Sequence, residues 1–345
     1  MQFPYYYTPV AGNYSPAERD EMFGMIRNAD TPGNLASYNG VLALAPRPNL
    51  LDNAYFVGGG TGYGIFPVNQ RGVTQYSGGS AKIFDRWALG SGGGAADLLS
   101  GGVKFTCGNG QSVYQRLSTR PADLFDKELT LSAVDTDNNL YTGTGTAPST
   151  ATAGNVISIS ITGFGTLVLA YSTAVSLFYV AFNGQSGSSP ITIADVKLEF
   201  GSVQTLAHQE SGAWVLNEIP DYTIELMKCQ RYLYVFNKAK RLYTMVALGM
   251  ASDSTHCSFL FSAPQEMKTT SSQPTLSYSG AFRIADSVSG GTRVGVTGMT
   301  MDVNSFNGKD GTIVATVNSG LTQRNMYFLQ TNNDANAKFI ISSEP

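Results

Sequence analysis

The chain has 345 residues, a formal net charge of −3, and only 14% charged residues, well below the roughly 25% usual for globular proteins. Its 18 Tyr, 18 Phe and 38 Gly set it apart from a disordered polar chain and favour strands punctuated by turns. The low, scattered positive charge argues against nucleic acid as a partner, because phosphate binding needs clustered Lys and Arg; the densest group, Lys238, Lys240 and Arg241, reads as a solvated strand end.

Residues 1–46 read as an arm for attachment or oligomerisation. MQFPYYYTPV lacks the basic end and apolar stretch of a signal peptide. Ser15 and Glu18 form a capping box around Pro16 at the first helical turn. Met22, Met25 and Ile26 then share one face, and so short an amphipathic helix needs something to dock on. From residue 47 to 201 the pattern changes to short strands: GGVKFTCG, ELTLSAV, VISISITG, LFYVAF and ITIADVKLEF. SGGGAADLLSGG, TGTGTAPSTATAGN and NGQSGSSP read as separators. In VISISITG, Ile157, Ile159 and Ile161 fall on one side and Val156, Ser158 and Ser160 on the other, the alternation of a half-buried strand.

Residues 202–231 read as a linker with a helix. Asp221 is placed to cap it, and Tyr222, Leu226, Cys229 and Leu233 share one face. YLYVF then changes the period to that of a strand, and strands continue through residues 232–345: LYTMVALGM, CSFLFSA, PTLSYSG, TRVGVTGMTM, GTIVATV, NMYFLQT and AKFIISS. The fold class expected is all-β: an N-terminal helical arm, a jelly-roll β-sandwich, a helical linker and a distal β-sandwich head. No apolar run is long enough to span a bilayer, so membrane insertion is not expected. The Cys residues, Cys107, Cys229 and Cys257, have no C-x-x-C spacing, which suits a reducing cytoplasm and excludes a disulfide scaffold or zinc ribbon.

Several motifs invite chemistry. Cys229 lies between Lys228 and Arg231, as an activated nucleophile would. A cysteine nucleophile needs a base, however, and of the two histidines His256 adjoins Cys257 on a strand while His208 is remote in sequence. Cys229 is read as structural, with Arg231 pairing a carboxylate or carbonyl where helix becomes strand. DTDNNL starts like a calcium loop, but Leu140 replaces its Gly and Thr146 stands where the bidentate Glu belongs; a hairpin turn is the better reading, and no metal site is assigned. GGGTGYG lacks the Gly-Lys-Ser/Thr end of a phosphate loop and reads as a plain loop. No pair of carboxylates stands out among aromatics as a glycosidase would require, so no catalytic residue is assigned.

PNLLDNAYF, FPVNQRG and KIFDRWAL, followed by the closing phrase ITIADVKLEFGS, resemble the jelly-roll domain of tailed-phage tail fibre and receptor-binding proteins. DYTIELMKCQRYLYVF resembles the segment that joins this domain to a distal one, and FSAPQEMKTTSSQPTLSYSG the strand pair that opens the distal head. The opening and closing phrases are also similar to jelly-roll carbohydrate-binding modules. The resemblance covers about residues 48–280 and implies a virion tail component, assembled in the host cytoplasm with other tail proteins. It implies a homotrimer that adheres to a bacterial surface glycan without catalysis. Trp87 is then a core residue of the jelly roll, Trp214 packs between domains, and a structural calcium remains possible. Sugar recognition by aromatic faces beside polar side chains makes Tyr76, Tyr278, Phe282, Arg283, Arg293 and Asn332, all at expected loop edges, the receptor-binding candidates. A purely structural virion protein and a surface-polysaccharide hydrolase are the alternatives.

Overall fold

A computed structural model describes residues 47–60, 62–236, 242–268, 274–286, 291 and 293–343. The expected arm and the Lys238, Lys240 and Arg241 cluster lie outside the described residues. Pro48–Pro345 forms one unit, and its described residues are all-β apart from short helical turns and one helix of nine residues.

The first part holds β1 (Gln75–Ser77), β2 (Ala88–Leu89), β3 (Ala95–Leu99), β4 (Gly102–Thr106), β5 (Ser112–Arg116), β6 (Glu128–Asp135), β7 (Leu140–Thr146), β8 (Gly154–Ile161), β9 (Gly165–Ser172), β10 (Leu177–Gly184) and β11 (Ile191–Phe200). They form two antiparallel sheets, β1-β3-β4-β11-β6-β7 and β2-β5-β10-β9-β8. The inward side chains of both fill a common core. Ile157, Ile159 and Ile161 are buried while Ser158 and Ser160 face solvent, as their alternation requires. Trp87 is fully buried among Phe56, Phe105 and Phe182, and its indole N–H donates to the Asn53 carbonyl at 3.0 Å. A ring of that size is tolerated in a core only because its polar atom has this partner.

Two of the expected separators contain strands. Ala95–Leu99 pairs along β4, and LYTGTGT is a full partner of β6. The glycines of LYTGTGT give it the composition of a loop, but they serve the packing. The threonines of β7 point outward, whereas a Cβ at Gly143 would lie 2.9 Å from Ile159 and one at Gly145 would run into the Val156 carbonyl oxygen. Glycine there lets β7 lie close against β8.

After β11 come a hairpin, β12 (Ala207–Glu210) with β13 (Ala213–Leu216), and the helix α1 (Tyr222–Gln230). The Asp221 carboxylate caps α1 by accepting from the Ile224 N–H at 3.0 Å. The strands of the second part are β14 (Leu233–Phe236), β15 (Met245–Ala251), β16 (His256–Ser262), β17 (Thr275–Ser279), β18 (Phe282–Ala285), β19 (Arg293–Asp302), β20 (Asp310–Val317), β21 (Met326–Thr331) and β22 (Lys338–Ser342). The expected distal sandwich is instead a closed barrel, β15-β16-β20-β19-β18-β21, beside a three-stranded sheet in which β22 lies between β14 and β17. Alternating patterns fit a sandwich and a barrel equally, since each has one buried face; closure depends on β21 pairing with both β15 and β18. Phe259, Ile284, Ile313 and Leu329 fill the barrel core, and Phe339 and Ile341 of β22 extend it.

The sandwich and the second part meet through polar contacts. The Arg86 guanidinium lies 3.6 Å from the centre of the Tyr232 ring. Its Nε donates to Asp52 at 3.1 Å and its Nη2 to the Arg116 carbonyl at 2.8 Å. Gln70 donates to the Asp85 carboxylate at 2.7 Å and to the Leu233 carbonyl at 2.8 Å. Lys268 donates through its ammonium to the Ser118 carbonyl and through its backbone N–H to that of Arg231. A double-mutant cycle on Arg86 and Tyr232, read by denaturant unfolding, is expected to return a coupling of about 2 kcal/mol, the value for a desolvated cation over an aromatic face.

Within β11, burial holds the Asp195 carboxyl well above the usual carboxylate range. The Val196 N–H and Lys197 pull it down, and Glu218 and Glu225 push it up. A raised folded-state pKa means that stability is complete below the unfolded value and is lost as pH rises through the folded one. Asp195→Asn, which mimics the protonated form, should therefore raise the urea midpoint at neutral pH, and its advantage should disappear below about pH 4.

Candidate functional site

The turn between β6 and β7 is built around one carboxylate. Asp135 accepts from the backbone N–H groups of Asp137 at 3.0 Å and Asn139 at 2.8 Å. It also accepts from the Asn139 side-chain amide and the Tyr141 hydroxyl, each at 2.8 Å. This is the hairpin expected for DTDNNL, its carboxylate spent on the turn's own donors. Burial, and then the hydrogen bond to Asp135, push the Tyr141 hydroxyl up to about 12, so it stays protonated and donating. Asn138, with φ of 67°, takes the left-handed conformation that Asn tolerates better than most residues.

The hairpin β12–β13 reaches this turn. Its own tight turn has positive φ at Ser211 (52°) and Gly212 (85°), the primed geometry that suits two-residue hairpins. Asn138 joins the two tips: its side-chain oxygen accepts from the Trp214 N–H at 2.6 Å and its amide donates to the Gly212 carbonyl at 3.2 Å. Beside the joined tips opens a shallow cleft of about 810 Å³, lined by the β6–β7 turn with Asp137, Asn138 and Tyr141, by Thr162 of the β8–β9 turn, by Ser189 and Thr192 around the start of β11, and by Trp214 of the hairpin. Trp214 is half-buried and packs with Leu206, Ala207 and Val134. The expected packing of Trp214 between domains is thus corrected: its hairpin folds back onto the sandwich, because Leu140 and Val134 offer it an apolar footing.

The other candidates occupy different places. Tyr76 is half-buried against the sandwich core, its hydroxyl donating to Asn69 at 2.9 Å, and burial holds that hydroxyl far above its usual range. Tyr278, Phe282, Arg283 and Asn332 do come together around β17, β18 and the end of β21. Phe282, however, is only 2% exposed and belongs to the barrel core, edge-on to Tyr278. The loop edge expected for it is instead the short strand FRIA, too brief to show alternation. Arg283 lies half-buried, donating to Gln330 at 3.0 Å with its guanidinium 4.6 Å from the Tyr243 ring centre. Asn332 donates its N–H to the Ala281 carbonyl. Arg293 opens β19, exposed, opposite Ala285.

The barrel also carries an apolar outer wall. Leu248 pairs with Phe328 and Met250 with Met326 and Ser258, so these side chains share its outside face. Leu248, Met250 and Met326 are each about half exposed, and Leu260, two residues along from Ser258, is 74% exposed.

No family model and no curated protein sequence matches this chain. Cys229 is fully buried on α1 with Leu226, Phe66 and Val68. Burial, and then the nearby Asp85, Asp52 and Glu225, raise its thiol well above the usual range. His208 is bonded to Asn217 and His256 to Asp253, so neither ring is engaged with Cys229. Arg231 differs from expectation. Its side chain is exposed and makes no hydrogen bond among the described residues, and its carbonyl instead accepts from Lys268 and Ser343. The backbone there turns from helix to strand and leaves a carbonyl that Lys268, beyond β16, and Ser343, just after β22, satisfy. Among the described residues no cluster of three or more His, Cys, Asp or Glu is arranged to hold a metal ion.

Sequence reasoning missed Tyr141, Asn138 and the closing role of Trp214. The signal was present in the Ser-Gly turn of AHQESGAWVL, but nothing local shows where that hairpin lands. Cys229→Ala is expected to lower stability by about 1–2 kcal/mol and to leave binding of any cell-surface ligand unchanged, as measured by thermal melting and cell binding. In the native state Cys229 should resist thiol alkylation at neutral pH, because only the thiolate reacts.

Proposed function

We propose that this chain is a tail component of a tailed-phage virion that adheres to a bacterial surface glycan without chemical change. The observation that carries this reading is the polar, aromatic-edged cleft between the β6–β7 turn and the β12–β13 hairpin. Its walls are held together by hydrogen bonds within the fold before any ligand arrives. Preorganised hydroxyls and amides beside aromatic rings suit saccharide recognition. The resemblance of PNLLDNAYF through ITIADVKLEFGS to phage jelly-roll and carbohydrate-binding domains supports the same conclusion. In this reading the chain acts as a homotrimer held in the tail by other virion proteins. Three copies raise a weak single-site affinity through effective concentration.

The apolar outer wall of the barrel favours a second reading. Contiguous exposed apolar surface marks contact with another macromolecule, which a purely structural virion protein would also need. The two readings separate when the labelled, purified protein is offered to a panel of Gram-negative and Gram-positive cells. Adhesion predicts saturable binding to at least one strain, abolished by periodate oxidation of the cell-surface glycans. Binding to virions but to no cell would overturn adhesion in favour of the structural role. Release of reducing ends from surface polysaccharide would favour the hydrolase. Light scattering at micromolar concentration should report a trimer, and a stable monomer would count against the trimeric arrangement.

A further inference from the structure

We infer that the cleft between the β6–β7 turn and the β12–β13 hairpin is a binding site for uncharged pyranose saccharides, with the Trp214 ring as its stacking platform. This rests on the adhesion reading and goes further by naming the site, the ligand class and the class it rejects.

Charge decides the class. The cleft is lined by the exposed Asp137 and by Asp135, whose buried carboxylate sits behind it on the turn's own donors, and neither Lys nor Arg lines it among the described residues. A uronate, sialate or phosphate-bearing polymer would place its negative charge beside two others, with no cation to compensate. Like charges at close range in a partly desolvated cleft are costly. Uncharged hydroxyl and acetamido groups find suitable partners instead. Thr162, Ser189 and Thr192 supply hydroxyls, and the exposed Asn139 and Asp137 line the same opening.

Rigidity places the ring. Trp214 is held at its own backbone by Asn138 and at its base by Leu206 and Ala207, yet remains partly exposed and lines the cleft. An apolar ring face fixed at the edge of a polar cleft is the arrangement that stacks against the axial C–H groups of a pyranose. Little entropy remains to be lost on binding, because the turn and hairpin tips are already joined. The site depends on a segment outside the sandwich strands: β12–β13 adds Trp214 to a cleft whose other aromatic residues, Tyr141 and Phe164, belong to the sandwich.

The two tryptophans make the test direct. Trp87 is fully buried in the sandwich core and Trp214 is half-buried, so a saccharide in the cleft changes the emission of Trp214 alone. The full chain is titrated with chitohexaose, maltohexaose and galactomannan as neutral probes, and with polygalacturonate and polysialic acid as anionic ones. Emission and calorimetry are read together. At least one neutral probe is expected to bind at millimolar concentration or tighter and shift the emission, and the anionic probes are not. Trp214→Ala should weaken that binding at least tenfold. Trp214→Phe should retain binding by calorimetry while the emission change disappears, and circular dichroism checks that both variants are folded. Failure of every neutral probe, preference for an anionic one, or unchanged affinity in folded Trp214→Ala overturns the assignment. If the wild-type protein adheres to cells and Trp214→Ala adheres equally, the cleft assignment fails and adhesion stands. If a neutral probe binds through Trp214 but no cell is bound, adhesion fails and the saccharide site stands.

Discussion

The arrangement of the two β-modules depends on one buried cation. Arg86 is almost fully enclosed, with Asp52 at its Nε, the Arg116 carbonyl at its Nη2 and the Tyr232 ring against its face. A buried charge is tolerated only when its donors are satisfied and its partner is close, and here the satisfying groups come from both modules. Asp52 and Arg116 belong to the sandwich, and Tyr232 to the turn that leads into β14. Neighbouring contacts repeat the pattern: Glu225 on α1 accepts from the Asn53 N–H at 2.7 Å, and Lys338 donates to the Arg71 carbonyl at 3.2 Å. The helix is therefore bound down along the sandwich, and a flexible connection between the modules would have had no use for such a set.

This junction changes the meaning of the segment around Cys229. By sequence Lys228 is placed to lower the thiol's pKa, but its ammonium is 2.6 Å from Glu225. Glu225 is in turn occupied by the Asn53 backbone. Lys228 is spent on Glu225, which ties α1 to the sandwich through the Asn53 N–H, and the thiol fills apolar space with Leu226, Phe66 and Val68. A sequence shows which charges are near a cysteine; it does not show that Glu225, one turn back on α1, holds Lys228 while a remote backbone N–H, that of Asn53, holds Glu225.

Legibility followed periodicity. VISISITG and ITIADVKLEF declared themselves because their apolar residues alternate or run uninterrupted, and the Asp221 cap was readable because capping is local. LYTGTGT was not, since its glycines carry no side-chain pattern and owe their presence to the approach of β8, a fact of packing. Whether the distal strands closed on themselves was equally hidden, because β21 pairs with β15 far back in the sequence. The cleft had the same difficulty. Its β6–β7 and β12–β13 segments each read locally as an ordinary hairpin, and the Asn138 contacts and the apolar packing of Trp214 and Leu206 with Val134 and Leu140 bring them together.

The central place of β22 has a consequence for synthesis. Leu233–Phe236 and Thr275–Ser279 each pair with β22 rather than with one another, and Phe339 and Ile341 complete the barrel's core. While the ribosome is still translating the residues before Lys338, the sandwich already has all of its strands and the second module lacks its keystone. A prematurely terminated chain would thus display a finished sandwich beside an unfinished barrel with its core open to proteases. The second module therefore becomes complete only when the chain has been translated through this strand, so the order of the strands acts as a length check on the product.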